Sequence, residues 1–479
     1  MVVNQTRVEE DLLGKKEVPA DAYYGIQSIR AKENFNITGH CLDSDLIIAL
    51  AQVKKAAAIA NMEVGNLDHK IGKAIVQAAD EIIAGKFHDQ FIVDPIQGGA
   101  GTSTNMNANE VIANRALEII GKPKGSYDII HPNTHVNMSQ STNDAVPTAV
   151  HIALLHSIDR LVEVLEKLRN ALHDKAIEFN SVVKMGRTHL QDAVPIRLGQ
   201  EFQAYESVLA RDIKRISRLR EALIEVNLGA TAVGTGLNAD PKYVEKAVET
   251  LQKLTGLPIV VAKNLVDATQ NADGYMETSS ALKICMLNIS KISNDLRLMS
   301  SGPRAGFGEI SVPAKQPGSS IMPGKINPVI CEVVNQVAFQ VAGNDVTISL
   351  AAEAGQFELN VMEPVLVYNL QQSIRAMTQV LETFRKDCIE GIKANEDVCK
   401  AYVDNSVGII TALNPHVGYE IASKVAKEAL ETGIQVREII LRDNILPEVV
   451  VDQILDPLEM TEPGIAGESL RTQNSKEQK

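Results

Sequence analysis

The chain has 479 residues, 45% of them apolar and 22% charged, with a net charge of −13 at neutral pH. That length exceeds one ordinary core, so two to four globular domains are expected, and the composition is not that of a disordered chain. The acidic balance argues against a nucleic-acid partner, which would need a concentrated Lys/Arg face, and 4% aromatics with no Trp removes the base-stacking platforms of single-strand binders.

The first residues, MVVNQTRVEEDLLGKKEVP, carry no apolar core of the signal-peptide kind. No apolar run approaches the roughly 18 residues of a membrane span, so no membrane partner is expected. Cysteines 41, 285, 331, 388 and 399 are scattered and lack any C-x-x-C pairing, which suits a reducing cytoplasm.

The segment up to about residue 140 reads as a mixed, mostly helical domain. It contains Gly98-Gly-Ala-Gly-Thr-Ser-Thr-Asn-Met-Asn107 and then a helical pattern over 106–120. Glycines before a helix start expose backbone N–H groups and the positive end of the helix dipole, an anion site. The G-K-[ST] of a nucleotide-binding loop is missing, and an ordinary N-cap would explain the Thr and Ser equally well. His131 and His135 stand four apart, but Pro132 and Asn133 intervene and no Glu completes H-E-x-x-H, so no metal site is expected.

Asn137-Met-Ser-Gln-Ser-Thr-Asn-Asp144 holds far more hydrogen-bonding side chains than one helix cap uses. It opens a central domain, 141–396, marked by long apolar stripes at 3-4 spacing. These are Leu154, Ile158, Leu161, Leu165, Leu168 and Leu172; Leu282, Cys285, Ile289, Ile292, Leu296 and Met299; and Val367, Leu370, Ile374, Met377, Leu381, Phe384 and Cys388. A looser stripe runs through Tyr205, Leu209, Ile213, Ile216 and Leu223. Each predicts an amphipathic helix of twenty or more residues, together an elongated bundle. Between the first two long stripes, Lys184-Met-Gly-Arg-Thr-His-Leu-Gln-Asp192 gathers Lys184, Arg187 and His189, a grouping suited to an anion.

From Ser301 to Pro328 the chain has five Gly and five Pro in 28 residues, which excludes a helix there. Irregular connections this long are commonly lids, binding loops or linkers. Within it, Gly318-Ser-Ser-Ile-Met-Pro-Gly-Lys-Ile-Asn327 combines two hydroxyls, a cation and an amide between glycines, equipment for gripping an anion. Glu358 and Asn360, opening the last long helix, read as capping or supporting residues. After Gly391 the pattern shortens and Pro415, Pro447, Pro457 and Pro463 punctuate it. A small C-terminal domain, 397–479, is expected there, with a disordered polar tail from about 468. No G-x-S-x-G elbow is present. Hydroxyls, amides and a few cations without a metal or cofactor fingerprint point to stabilising a carboxylate-derived anion, with no cofactor.

The segments GTSTNMNANEVIANRA, HVNMSQSTNDA, KMGRTHLQDAVP, GATAVGTGLN, GSSIMPGKINP and FELNVMEP occur in order along the chain. In these motifs the chain resembles the fumarase/aspartase superfamily over nearly its whole length. Through GTST, STND and NVMEP it resembles the aspartase branch, although Cys331 stands where that branch is expected to have Pro. The resemblance implies a mainly α, three-domain fold whose long central helices form a twenty-helix core in a homotetramer, with each active site drawn from three subunits. It implies reversible deamination of L-aspartate to fumarate and ammonia, or alternatively hydration of fumarate to L-malate; a non-catalytic scaffold of the same fold is a third reading. Both reactions pass through an aci-carboxylate. By resemblance Thr102, Ser141, Thr142 and Ser320 surround the β-carboxylate, and Lys325 and Asn327 hold the α-carboxylate. Asn143 and His189 contact the amino group, while Thr188 and Lys184 line the pocket. The general base stays open between two residues: an ordinary imidazole value near 6.5 favours His189, whereas the resemblance assigns Ser319.

Overall fold

In the computed structural model, residues 5–469 are described. Helices dominate, and the strands form four two-stranded sheets. The chain opens with an antiparallel hairpin, β1 (Thr6–Asp11) and β2 (Gly14–Pro19), then runs through α1 (Ile26–Asn34), α2 (Ser44–Glu63), α3 (His69–Ile83) and α4 (Thr102–Ile119). Then come α5 (Thr142–Glu178), the antiparallel hairpin of β3 (Val183–Thr188) and β4 (Gln191–Arg197), and α6 (Leu198–Leu223). The next segment contains β5 (Glu225–Val226), α7 (Pro241–Thr255), β6 (Val260–Val261) and α8 (Asp267–Gln270), with β5 and β6 parallel. The last long helices are α9 (Asp273–Met299), α10 (Val329–Glu353) and α11 (Glu363–Asp387).

The four expected stripes are the buried faces of α5, α6, α9 and α11: every stripe residue named above is buried. The fifth long helix, α10, has no such stripe. Cys331, Val334, Val341 and Ile348 are buried, but Val333, Phe339, Val346 and Leu350 are exposed on other faces, so apolar residues surround the axis. Cys331 packs with its Sγ 3.6 Å from the Cys388 Sγ, both as buried free thiols.

The 301–328 connection is irregular as expected, except that β7 (Ile310–Ser311) pairs antiparallel with β8 (Lys393–Ala394). Beyond β8 come short helices, the first Glu396–Asn405 and the last Glu448–Ile454. They share an apolar cluster of Val403, Leu413, Val425, Ile439, Val451 and Ile454. Most of the expected polar tail, residues 470–479, lies outside the described residues.

The chain divides into two compact units. One holds the chain up to Glu163 with Asp212–Met286 and Ala338–Thr378; the other holds Val164–Arg211, Leu287–Val337 and the chain from Gln379 on. The boundary falls inside each of the five longest helices. Among the described residues, no helix is long and apolar enough to cross a membrane.

Candidate active site

The first unit carries Thr102, Ser141, Thr142 and Asn143. Gly101, at φ 86°, turns the chain into α4 in a conformation that favours glycine, and a Cβ there would press on Val146 Cγ1 at 3.2 Å. Thr102 follows, its Oγ1 donating to the Gly99 carbonyl at 2.7 Å. The start of α5 is a reciprocal cap. Ser141 Oγ accepts from the Asn143 N–H at 3.2 Å, and Asp144 Oδ1 accepts from the Ser141 N–H at 2.8 Å. Asp144 Oδ2 accepts from the N–H groups of Gly229 and Thr231, tying the GATAVGTGLN segment to this turn. Burial pushes the Asp144 carboxyl up to about 6 against the pull of those backbone donors. Asn143 Nδ2 donates to the Ala232 carbonyl at 2.8 Å, and the Asn143 carbonyl accepts from Asn227. Three of the motif segments named from the sequence thus belong to one unit.

Beneath them lies a residue the sequence did not single out. Lys54 of α2 is fully buried, and its amine donates to Asn105 Oδ1, Asn137 Oδ1 and Gln140 Oε1 at 2.7, 2.9 and 2.9 Å. Burial lowers its pKa to about 7, opposed by the charge of Asp144. Asn105, inside the GTSTNMN segment, passes the network on to Thr142 Oγ1 at 3.1 Å.

The second unit carries the remaining site residues. His189 and Leu190 form the tip of the β3–β4 hairpin with φ of 55° and 59°, left-handed values without a glycine. Two such residues each cost of order 1 kcal/mol. The tip is exposed, Thr188 and His189 included, and Leu190 is 65% exposed. Lys184 differs from them. Its amine is buried and meets Glu201 at 3.0 Å and Glu309 at 3.4 Å, so its charge is spent inside the hairpin's base. Arg187 pairs with the other Glu309 oxygen at 2.7 Å and stacks its guanidinium over the Phe307 ring. The hairpin therefore presents Thr188 and His189 outward while Lys184 and Arg187 anchor it.

The 318–327 loop closes on itself. Gly318 N–H donates to the Lys325 carbonyl at 2.8 Å, and Asn327 Nδ2 donates to the Gly318 carbonyl at 2.7 Å. A Cβ on Gly318 would lie 2.4 Å from the Lys325 oxygen, which is why this turn takes glycine. Ser319 Oγ accepts from the N–H groups of Ile321 (3.2 Å) and Met322 (3.0 Å). Ser319 and Lys325 line the same pocket of about 440 Å³. Among the described residues the Lys325 amine, which is exposed, makes no hydrogen bond or ion pair. Ser320 is exposed beside it. No group of three or more His, Cys, Asp or Glu among the described residues is arranged to hold a metal ion.

Residues 14–343 match a family model described as "Lyase", and residues 409–462 match one described as "Fumarase C C-terminus". The chain belongs to the fumarase/aspartase family of lyases. An aspartate ammonia-lyase of Bacillus subtilis is 63% identical over 97% of this chain and 98% of its own length. The Escherichia coli aspartate ammonia-lyase is 50% identical over 96% and 97%. Among solved structures, a fumarate lyase:delta crystallin from Brucella melitensis superposes with a TM-score of 0.94 at 49% identity, covering 96% of this chain and all of that one. A class II fumarase from Schistosoma mansoni, at 36% identity over the same shares, gives 0.91. The mainly helical fold is that of this lyase family.

Proposed function

We infer that this lyase deaminates L-aspartate reversibly to fumarate and ammonia. Its substrate follows the relatives called aspartate ammonia-lyase, which match it end to end at up to 64% identity. The observation that carries the mechanism is the Ser319 oxygen held by two backbone N–H groups in a pocket shared with Lys325. Donors aimed at an oxygen favour its charged form, and a nearby cation adds to this. Ser319 is accordingly the base that takes the Cβ proton. The electron pair of the broken C–H bond moves onto the β-carboxylate as an aci-carboxylate. Its collapse forms the C=C bond, breaks C–N and releases ammonia.

Thr102, Ser141, Thr142 and Ser320 donate to the β-carboxylate. One well-placed donor contributes roughly 3–4 kcal/mol, so three or four together supply roughly 9–16 kcal/mol, a major share of the typical 8–23 kcal/mol acceleration. Lys325, an uncommitted cation, and the second N–H of Asn327 hold the α-carboxylate. Asn143 and His189 face the amino group, and Thr188 completes the wall. Lys184 shapes that wall from behind by fixing the hairpin. Closure of the loop excludes water from the intermediate.

The assembly is a cytoplasmic homotetramer in which each site draws on three subunits. Support comes from the apolar faces that one chain leaves open, including Phe339 at 65%, Val346 at 60% and Leu350 at 65%, and from the projecting tip at Leu190. Incubation with L-aspartate should release ammonia and fumarate in equal amounts; malate formed from fumarate without ammonia would overturn the substrate. Ser319→Ala should lose at least 100-fold in kcat. Near-full turnover of Ser319→Ala with loss in His189→Ala would transfer the base to His189.

A further inference from the structure

We propose that Asn105, its amide oriented by the buried Lys54 ammonium, is a positioning residue that fixes Thr142 as an outward-facing hydrogen-bond donor. Hydrogen-bond polarity sets the orientation. In its charged form the Lys54 amine has three N–H donors and no acceptor, and it lies within 2.7–2.9 Å of three amide oxygens, those of Asn105, Asn137 and Gln140, which satisfy all three. Each amide must therefore turn its oxygen to Lys54 and its NH₂ away. The rest of the network agrees with that orientation. Gln140 Nε2 donates to the carbonyls of Val136 and Met138, and Asn137 Nδ2 donates to the Gln140 carbonyl.

For Asn105 the consequence is specific. Its Nδ2 donates to Asn137 Oδ1 at 3.1 Å and to Thr142 Oγ1 at 3.1 Å. The Thr142 oxygen thus accepts from within, and its own hydrogen has no acceptor among the described residues. A hydroxyl whose lone pair is occupied from below presents its hydrogen to whatever lies above. Above Thr142, in the reading given under Proposed function, is a carboxylate gathering charge. Four buried or half-buried side chains thus set the direction of one O–H bond before substrate arrives. Preorganised donors of this kind need no reorientation as charge develops. Lys54 and Asn105 touch no substrate and act through Thr142, which makes them positioning residues.

The inference rests on the proposed role of Thr142, and a double-mutant cycle tests it separately from the identity of the reaction. Asn105→Asp keeps the shape and gives Lys54 a carboxylate partner, but it reverses the contact: Thr142 must then donate inward and turn lone pairs toward the substrate. Asn105→Asp should lose roughly 100-fold in kcat/KM, about the effect of losing one oxyanion donor. Thr142→Val should lose a similar factor, and the double variant should fall within about threefold of Thr142→Val alone, because both changes remove the same donor. The rate is read on whichever conversion the unaltered enzyme performs, ammonia release from aspartate or hydration of fumarate, so the product decides the substrate while the cycle decides the positioning. Full additivity of the two losses, or an Asn105→Asp enzyme within threefold of the parent, overturns the inference. A Thr142→Val enzyme of normal activity overturns it together with the carboxylate role of Thr142. Should Asn105→Asp fail to fold, Asn105→Ala, which frees the hydroxyl to rotate, carries the same cycle with an expected tenfold loss that vanishes in the Thr142→Val background.

Discussion

Glu363 is buried, its carboxylate accepting among the described residues one hydrogen bond, from the Tyr275 hydroxyl at 3.2 Å, and burial pushes its carboxyl up to about 7 against that single donor. Between the ordinary glutamate value near 4.5 and about 7, the folded protein therefore holds a proton that the unfolded chain has released. Stability contributed by this group is complete below the lower value and is lost as pH rises through the upper one. Glu363→Gln removes the titration and can still accept from Tyr275. Relative to the parent, the variant should gain nothing at pH 4.5 and up to about 3 kcal/mol above pH 7, at 1.36 kcal/mol per unit. Urea midpoints at pH 5 and pH 8 measure the difference, and an equal offset at both values would refute it. Glu110 also sits at about 7 but accepts from the N–H groups of Gly25, Gln27 and Ser28 and from the Ser28 hydroxyl, so Glu110→Gln would set an NH₂ against donors and destabilise at every pH. At this scale the sequence displays the groups that interrupt apolar periodicity and hides those that support them. Lys54 and Lys55 are neighbours in an alanine-rich helix that is buried on most sides. One lies wholly under three amides, the other meets Asp80 near the surface, and nothing in VKKAAA distinguishes them.

Among the elements, Asn360 shows what the capping expectation amounts to. Its Nδ2 donates to the Ala351 and Ala352 carbonyls at the end of α10, at 2.9 and 3.1 Å. Its Oδ1 accepts from the Met362 N–H before α11, at 2.9 Å. One amide therefore serves orphan groups of two helices. Asn360→Ala should cost about 2–3 kcal/mol, a cap worth ~1 plus unmet buried carbonyls. Asn360→Asp should cost nearly as much, because a carboxylate keeps the acceptor and sets two oxygens against the carbonyls. A shift in urea midpoint for Asn360→Ala but none for Asn360→Asp would show that only the N-terminal cap matters. Four long helices could be read from their stripes because each buries one face and wets the other within a single chain. α10 could not, since its Phe339 and Leu350 lie opposite its buried Val341 and Ile348, and a helix apolar all round has no phase to detect. The β3–β4 hairpin escaped for a related reason. Its tip is His189-Leu190 where a two-residue turn ordinarily takes Asn-Gly, so the turn signal was absent although its chemistry was visible.

For the whole molecule, the motifs named the groups but could not place them. Thr102, Ser141, Thr142 and Asn143 belong to one unit of the chain, and Thr188, His189, Ser319, Ser320, Lys325 and Asn327 belong to the other. Sequence order constrains neither which copies of these units face one another nor how many chains are required, because that information lies in surfaces complementary between copies. Under the homotetramer with shared sites proposed above, one site would take Thr142 from one subunit and Ser319 from another. Thr142→Val and Ser319→Ala homotetramers should then each retain about a hundredth of the parent activity or less, with every site lacking one group. Dissociating the two in mild denaturant and reassociating them as a mixture distributes the defects independently. Half of the positions for each group are then intact, and roughly a quarter of the sites hold both, since the two draws are independent between subunits. Ammonia release from L-aspartate should accordingly recover to about a quarter of the parent activity per site, a gain that neither variant shows when treated alone. Were both groups of a site contributed by the same chain, every site would carry one defect or the other, and mixing would recover nothing.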